Sequence, residues 1–273
     1  MLVTAKNLPK WLIAAWLIFT SGIHCHANMR AAVYRNLGTS GALRPVGGLT
    51  LKSEQISFTF DGVYLGPKVE VDDHPKSCRV EVIYHLSSRS EQEALFDFIS
   101  PSADAASAQI NGKEVGVVAT AFEDPKQEGS PSRNILRKRF SLTFHGALLT
   151  GANTVAVTYT QPLSASEFGL SYISRSRWQT FAEYEFWPIK EWARDEDFKA
   201  EVALSVPRTR SLRESVFGPK LILSAGERTR GADSQSTTAI PCTFEKTRDR
   251  LVTRFTLSGK TLPDILTVSA AEK

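Results

Sequence analysis

Residues 178–192 read WQTFAEYEFWPIKEW and hold every tryptophan that follows position 27. Successive side chains on an extended strand point to opposite faces. Trp178, Tyr184 and Phe186 therefore share one face, and Phe181, Glu183, Glu185 and Trp187 share the other, with Trp192 closing the segment. Exposed rings beside carboxylates suit a sugar, whose CH-rich faces stack on the rings while its hydroxyls donate to the acids. The candidate ligand-binding residues are therefore Trp178, Phe181, Glu183, Glu185, Trp187 and Trp192. The simpler expectation is that one face is core and the other covers an interface, because large aromatics are usually buried.

Glu183 and Glu185 lie two apart on one strand face, which puts their Cα atoms about 6.5–7 Å apart. That approaches the carboxylate separations of glycoside hydrolases, in which one acid protonates the leaving group and the other attacks or activates water. Catalytic pairs normally face each other across a cleft from different strands. No catalytic residue is assigned, and a carbohydrate-active hydrolase is kept as the alternative.

Glu70, Asp72, Asp73 and His74 gather three acids and an imidazole just before Pro75. Oxygen-rich loops of this kind can hold Ca²⁺, and a His–carboxylate set can hold Zn²⁺ or Mn²⁺. The spacing matches neither an EF-hand loop nor a zinc motif, so a solvated turn is the preferred reading and no cofactor is expected. The histidines that follow residue 27 are His74, His85 and His145. No Gly-x-Ser-x-Gly elbow, His-Glu-x-x-His pair or phosphate-binding glycine loop accompanies them. Basic residues cluster at 133–139, 175–177 and 208–213, where charges on edge strands are the ordinary explanation.

The elements that must position these groups begin with an address. Lys6 and Lys10 precede an uncharged apolar run from Trp11 to Ile23, which reads as the n- and h-regions of a secretory signal peptide. The run has 13 residues, against roughly 20 needed to span a bilayer. Cys25-His26-Ala27 offers a small-x-small cleavage site, so residues 1–27 are the expected signal peptide and the protein is expected to be periplasmic or secreted. An uncleaved anchor helix is the competing reading.

Removing Lys6 and Lys10 from 33 basic residues leaves 31 against 29 acidic, a formal charge of +2. That balance, without a long Lys/Arg tract, argues against a nucleic-acid partner. Cys78 and Cys242 are the cysteines left after cleavage. In an oxidising compartment two cysteines tend to pair, so a disulfide is expected that ties the first half of the chain to the last.

Residues 28–46 show no clear periodicity and read as a leader. From 47 onward the pattern is that of strands and turns. Leu49 and Leu51, then Ile56, Phe58 and Phe60, alternate with polar residues. Cys78, Val80, Val82, Tyr84 and Leu86 form the clearest apolar face. Asn111-Gly112 is a hairpin turn, because both residues tolerate positive φ. About seven strands between 47 and 162 predict an immunoglobulin-like or jelly-roll β-sandwich. After Pro162, residues 163–273 predict a second β-rich domain, with one short helix or turn over 188–197. The fold class is thus all-β, preceded by a signal-peptide helix.

Gly47-Gly48-Leu49-Thr50-Leu51, Val69-Glu70-Val71, Arg79-Val80-Glu81-Val82-Ile83-Tyr84 and Leu95-Phe96-Asp97-Phe98 resemble the opening sandwich of exported bacterial proteins with an Ig-like N-terminal β-sandwich. Asn153-Thr154-Val155-Ala156-Val157-Thr158-Tyr159 is similar to the closing strand of many Ig-like and jelly-roll modules. The resemblance covers about a third of the chain. It implies a fold class and an envelope address, and it transfers no catalytic residue. The expected function is a non-catalytic exported protein that binds an envelope protein or glycan. A structural subunit of an envelope assembly is the further alternative.

Overall fold

The computed structural model describes residues 33–34, 44–45, 48–64, 76–123, 138–168, 177–186, 189, 192–208, 221–228, 238–240 and 242–272. The N-terminal apolar run, the Glu70–His74 cluster, Trp187 and residues 124–137 lie outside the described residues. Among the described residues no helix is long and apolar enough to cross a membrane.

The chain is all-β, as its alternating pattern requires. Among the described residues eighteen strands, numbered in chain order, form four sheets. β1 (Val33–Tyr34) and β2 (Arg44–Pro45) make a short ladder. The central sheet has eight strands in the order β16 (Thr243–Lys246), β17 (Arg250–Ser258), β13 (Arg194–Pro207), β3 (Leu49–Phe60), β4 (Ser77–Ser88), β10 (Gly151–Pro162), β6 (Asp104–Ile110) and β7 (Lys113–Val115). A five-stranded sheet runs β11 (Ser164–Phe168), β12 (Arg177–Glu185), β18 (Ile265–Glu272), β14 (Leu221–Arg228) and β15 (Thr238–Ile240). A three-stranded sheet runs β5 (Gln92–Ser100), β9 (Lys138–Leu148) and β8 (Val118–Glu123).

Both smaller sheets pack on the same face of the central one. Phe58, Val80 and Tyr159 are in register across β3, β4 and β10, so their side chains share a face. Tyr184 of β12 meets Phe58 edge-on at 6.3 Å between ring centroids, and Phe98 of β5 meets Tyr159 at 5.5 Å. One hydrophobic core results, reaching from Leu49 to Ala270.

The strongest sequence pattern dictates its strand directly. On β4 Cys78, Val80, Val82, Tyr84 and Leu86 are buried while Arg79 is exposed and Glu81, Ile83 and His85 are half-exposed. Asn111 and Gly112 turn the β6–β7 hairpin with φ of 52° and 75°, the left-handed conformations that a primed two-residue turn demands.

Three expectations need correction. The division after Pro162 does not separate two sheets, because β13, β16 and β17 from the C-terminal half extend the sheet begun by β3 and β4. The joint is a parallel β3–β13 pairing. The helix or turn expected over 188–197 is shorter than expected: the turns closed by Ile189 and Trp192 give way to strand, since β13 starts at Arg194. The Cys78–Cys242 disulfide is not formed, and both thiols are free. Cys78 lies on β4, whereas Cys242 precedes β16, four strand spacings away. That is about 19 Å along the sheet, beyond the roughly 7 Å Cα separation a disulfide tolerates.

Candidate functional site

On β3, Leu49 and Leu51 face the core, and so do Glu54, Ile56, Phe58 and Phe60. The change from odd to even numbers is a register shift between Leu51 and Ser53 against β4, matched by an irregularity between Arg194 and Lys199 on β13. A β-bulge inserts one unpaired residue and so transfers the following side chains to the other face. Lys52, at the bulge, pairs with Asp195 across it. The consequence is that Glu54, polar on an otherwise apolar face, is turned inward and is fully buried.

Inside, the Tyr184 hydroxyl crosses from the five-stranded sheet and donates to Glu54 Oε1 at 2.6 Å. It also lies 2.9 Å from the hydroxyl of Tyr84, which is registered directly opposite Glu54. Glu54 Oε2 and the Tyr159 hydroxyl are buried with no hydrogen-bond partner among the described residues. Burial pushes the Glu54 carboxyl up to about 8, against the opposing effect of the Tyr184 and Tyr84 hydroxyls. Burial likewise drives Tyr184 and Tyr159 well above the usual tyrosine range. A carboxyl in this setting holds its proton at neutral pH and acts as a neutral hydrogen-bonding group.

The opposite face of the central sheet is polar, and its registers place residues in four rows. Ser258, Lys199, Ser53, His85 and Thr154 make the first, and Thr256, Glu201, Gln55, Ile83 and Ala156 the second. Arg254, Ala203, Ser57, Glu81 and Thr158 form the third, and Val252, Ser205, Thr59, Arg79 and Thr160 the fourth. All of these are exposed or half-exposed. Ala203 and Ser57 are small among long neighbours, so they floor a groove of about 380 Å³ walled by Gln55, Glu201, Arg254 and Thr256. Gln55 donates to Glu201 at 3.4 Å, and Arg254 pairs with Glu245 at 2.9 Å.

Among the described residues, the groups expected to bind a ligand are divided between a sheet face and the core. Phe181, Glu183 and Glu185 do share one half-exposed face of β12, opposite the face that buries Thr180, Ala182 and Tyr184. Trp178 lies on β12 opposite Glu167 of β11. Trp192 belongs to the core at 7% exposure, so it cannot stack on a ligand as expected. Turns Ile189 N–H to Phe186 O and Trp192 N–H to Ile189 O pull it inward between β12 and β13. Across from Glu183 and Glu185 on β18 stand Thr267 and Ile265, so that neighbour supplies no second carboxylate for a hydrolase pair. Among the described residues no group of three His, Cys, Asp or Glu side chains is placed to hold a metal.

Glu54 is the residue that sequence reading missed. The pattern already held the evidence, since Leu49 and Leu51 are odd while Ile56, Phe58 and Phe60 are even. That change of parity means a bulge, and Glu54 falls on the even face.

No family model matches the sequence, and no curated protein matches it. Among solved structures the chain is similar to a candidate nutrient binding protein from Legionella pneumophila, at 9% identity and a TM-score of 0.45, over 89% of this chain and 72% of that one. It is also similar to yeast LTA4 hydrolase in complex with bestatin, at 8% identity and a TM-score of 0.36, over 96% of this chain and 33% of that one. The chain thus spans a third of the length of the yeast hydrolase.

Proposed function

We propose that this chain is a non-catalytic binding protein, exported to the cell envelope, that docks a protein partner on the outer face of its eight-stranded sheet. The observation that carries this reading is the four-row polar face on β17, β13, β3, β4 and β10. Five strands 4.8 Å apart and about eight residues long give an area of roughly 600 Å². A standard protein interface covers about 800 Å² per partner. Short hydroxyl side chains keep the face level, and the packed core beneath fixes it. Its charges alternate in sign, with Lys199 beside Glu201, Ala203 and Ser57 between Arg254 and Glu81, and Arg79 next to Glu81. A mixed pattern selects a partner with a complementary mosaic. A groove this shallow offers little of the enclosure that small-molecule sites provide.

The export half of the reading rests on the Trp11–Ile23 run with its preceding lysines. The test of the docking half is a photo-crosslinker at position 201, followed by titration of the purified partner against wild type, Ala203→Tyr and Arg254→Glu. Both substitutions should weaken binding at least tenfold while leaving the fold intact. Equal affinity in the variants, or no partner crosslinked from the envelope, overturns it.

A second reading is favoured by Phe181, Glu183 and Glu185 on the other sheet, where one half-exposed ring stands beside two carboxylates. It assigns a glycan ligand. Glycan-array binding that survives Phe181→Ala with Glu183→Gln would remove it.

A further inference from the structure

We propose that Glu54, Tyr84 and Tyr184 form a proton-operated latch between the five-stranded and eight-stranded sheets, closed while Glu54 is protonated and loosened when it ionises. The bulge at Leu51–Ser53 is what brings Glu54 into the interface; an unbroken alternation from Leu51 would have turned it outward. Around the cluster the sheets meet through Phe58, Phe186, Leu266 and Val268, all buried. The hydrogen bond between Tyr184 and Glu54 thus spans an apolar seam. Tyr64, just beyond β3, adds a second polar tie by donating its backbone N–H to Thr180 Oγ1 at 2.8 Å.

Ionisation finds no positive charge to compensate it, only the Tyr184 and Tyr84 hydroxyls. From β4 the facing titratable groups are Tyr84 and, further along, Cys78; from β10 it is Tyr159; from β12 it is Tyr184. On β13 the residue beside Glu54 is Ala200, flanked by buried Phe198 and Val202, and β18 presents Leu266 and Val268. No lysine, arginine or histidine among the described residues is buried with them. Each neighbour is itself an acid, and burial holds Cys78, Tyr159 and Tyr184 above their ordinary ranges. Glu54 is therefore the first of them to lose its proton, and Oε2 would carry charge without a donor. A buried uncompensated carboxylate is relieved by opening the seam to water.

The direction with pH follows. Between the free-carboxyl value near 4.3 and about 8, the unfolded chain is ionised and the folded one is not. Each pH unit there favours unfolding by up to about tenfold. Above about 8 the folded protein ionises, and the opening becomes local to the seam.

The experiment is hydrogen exchange of the full protein from pH 6 to 9, corrected for intrinsic exchange, with Glu54→Gln alongside. Amides of β12 and β18 in wild type should lose protection by about tenfold or more between pH 7 and 9, and by clearly more than those of β5 and β9. Glu54→Gln should change by less than about twofold. The same loss in the variant, or none in wild type, overturns the latch. Should the variant fail to fold, infrared difference titration of wild type decides. A protonated-carboxyl C=O band that disappears between pH 7 and 9 supports the latch, and a carboxyl already ionised at pH 6 overturns it.

Discussion

Tyr184 and Glu54 stand 130 positions apart in sequence, and their side chains meet at 2.6 Å between two sheets. The tyrosine ring also touches Phe58 and Phe186, so its hydroxyl can be removed without emptying the core. Tyr184→Phe should therefore keep the packing and leave Glu54 Oε1 short of a donor. An unmade buried hydrogen bond costs about 1–3 kcal/mol. Urea unfolding at pH 6 measures this, and a loss below about 0.5 kcal/mol would mean the contact is incidental.

The stability of wild type should fall as pH rises from 5 to 8, with Glu54 contributing a slope of up to about 1.4 kcal/mol per pH unit. The sign follows from a folded-state value raised to about 8: the contribution is complete below the free-carboxyl value and is lost as pH climbs through the folded one. Denaturant midpoints of wild type minus Glu54→Gln isolate that slope from every other carboxylate. A flat difference would contradict the protonated assignment.

Burial pushes the Cys78 thiol up to about 12, so almost none of it is thiolate at pH 8, and the thiolate is the reactive form. Cys242 is only half-buried. Maleimide labelling of native, non-reduced protein read by peptide mass should modify Cys242 well before Cys78. Labelling of neither, together with a disulfide-linked peptide, would restore the bridge that the geometry rules out.

Arg250 holds the C-terminal strands to the rest of the sheet. Its guanidinium donates to Phe60 O at 2.8 Å and to Ser205 O at 3.0 Å, with Nε on Ser205 Oγ at 2.6 Å, which joins β17 to β13 and β3. Arg250→Ala should cost about 2–3 kcal/mol, because charge-assisted bonds are the stronger kind. Thermal unfolding would show it, and Arg250→Lys should recover only part, since an ammonium lacks the fork that reaches three acceptors.

Gly259 leaves no room for a side chain. A Cβ there would sit 2.8 Å from Phe198 O and 2.9 Å from its ring, and backbone cannot yield as a flexible side chain does. Gly259→Ala should destabilise by about 1–3 kcal/mol, read from the midpoint of chemical unfolding. Gly112→Ala meets no atom within 4 Å, so any loss there measures the left-handed φ alone.

What could be read from sequence was whatever depends on neighbours along the chain. The alternation of β4 fixes its buried face without reference to any partner, and Asn111-Gly112 turns because of its own backbone freedom. Between Thr238 and Phe244 the β-forming residues are continuous, yet the chain changes sheets, leaving β15 on one side and β16 on the other. That choice is made by distant partners. Trp192 looked like a platform for a sugar because it ends an aromatic segment, and the turn that draws it inward could not be seen in spacing. The contact between Glu54 and Tyr184 was half legible: parity gives the inward turn of one residue, but only the fold supplies the other.

The parallel seam between β3 and β13 joins residues such as Gln55 and Glu201, which are 146 positions apart. Until Arg194–Pro207 has emerged, one side of β3 is a twelve-residue edge with unmet backbone donors and acceptors. Such an edge recruits whatever strand comes first. The arrival of the C-terminal half is therefore a timing event: a chain cut short before β13 would display a sticky margin, and its fate would be decided by assembly kinetics, since long-range pairing is slow.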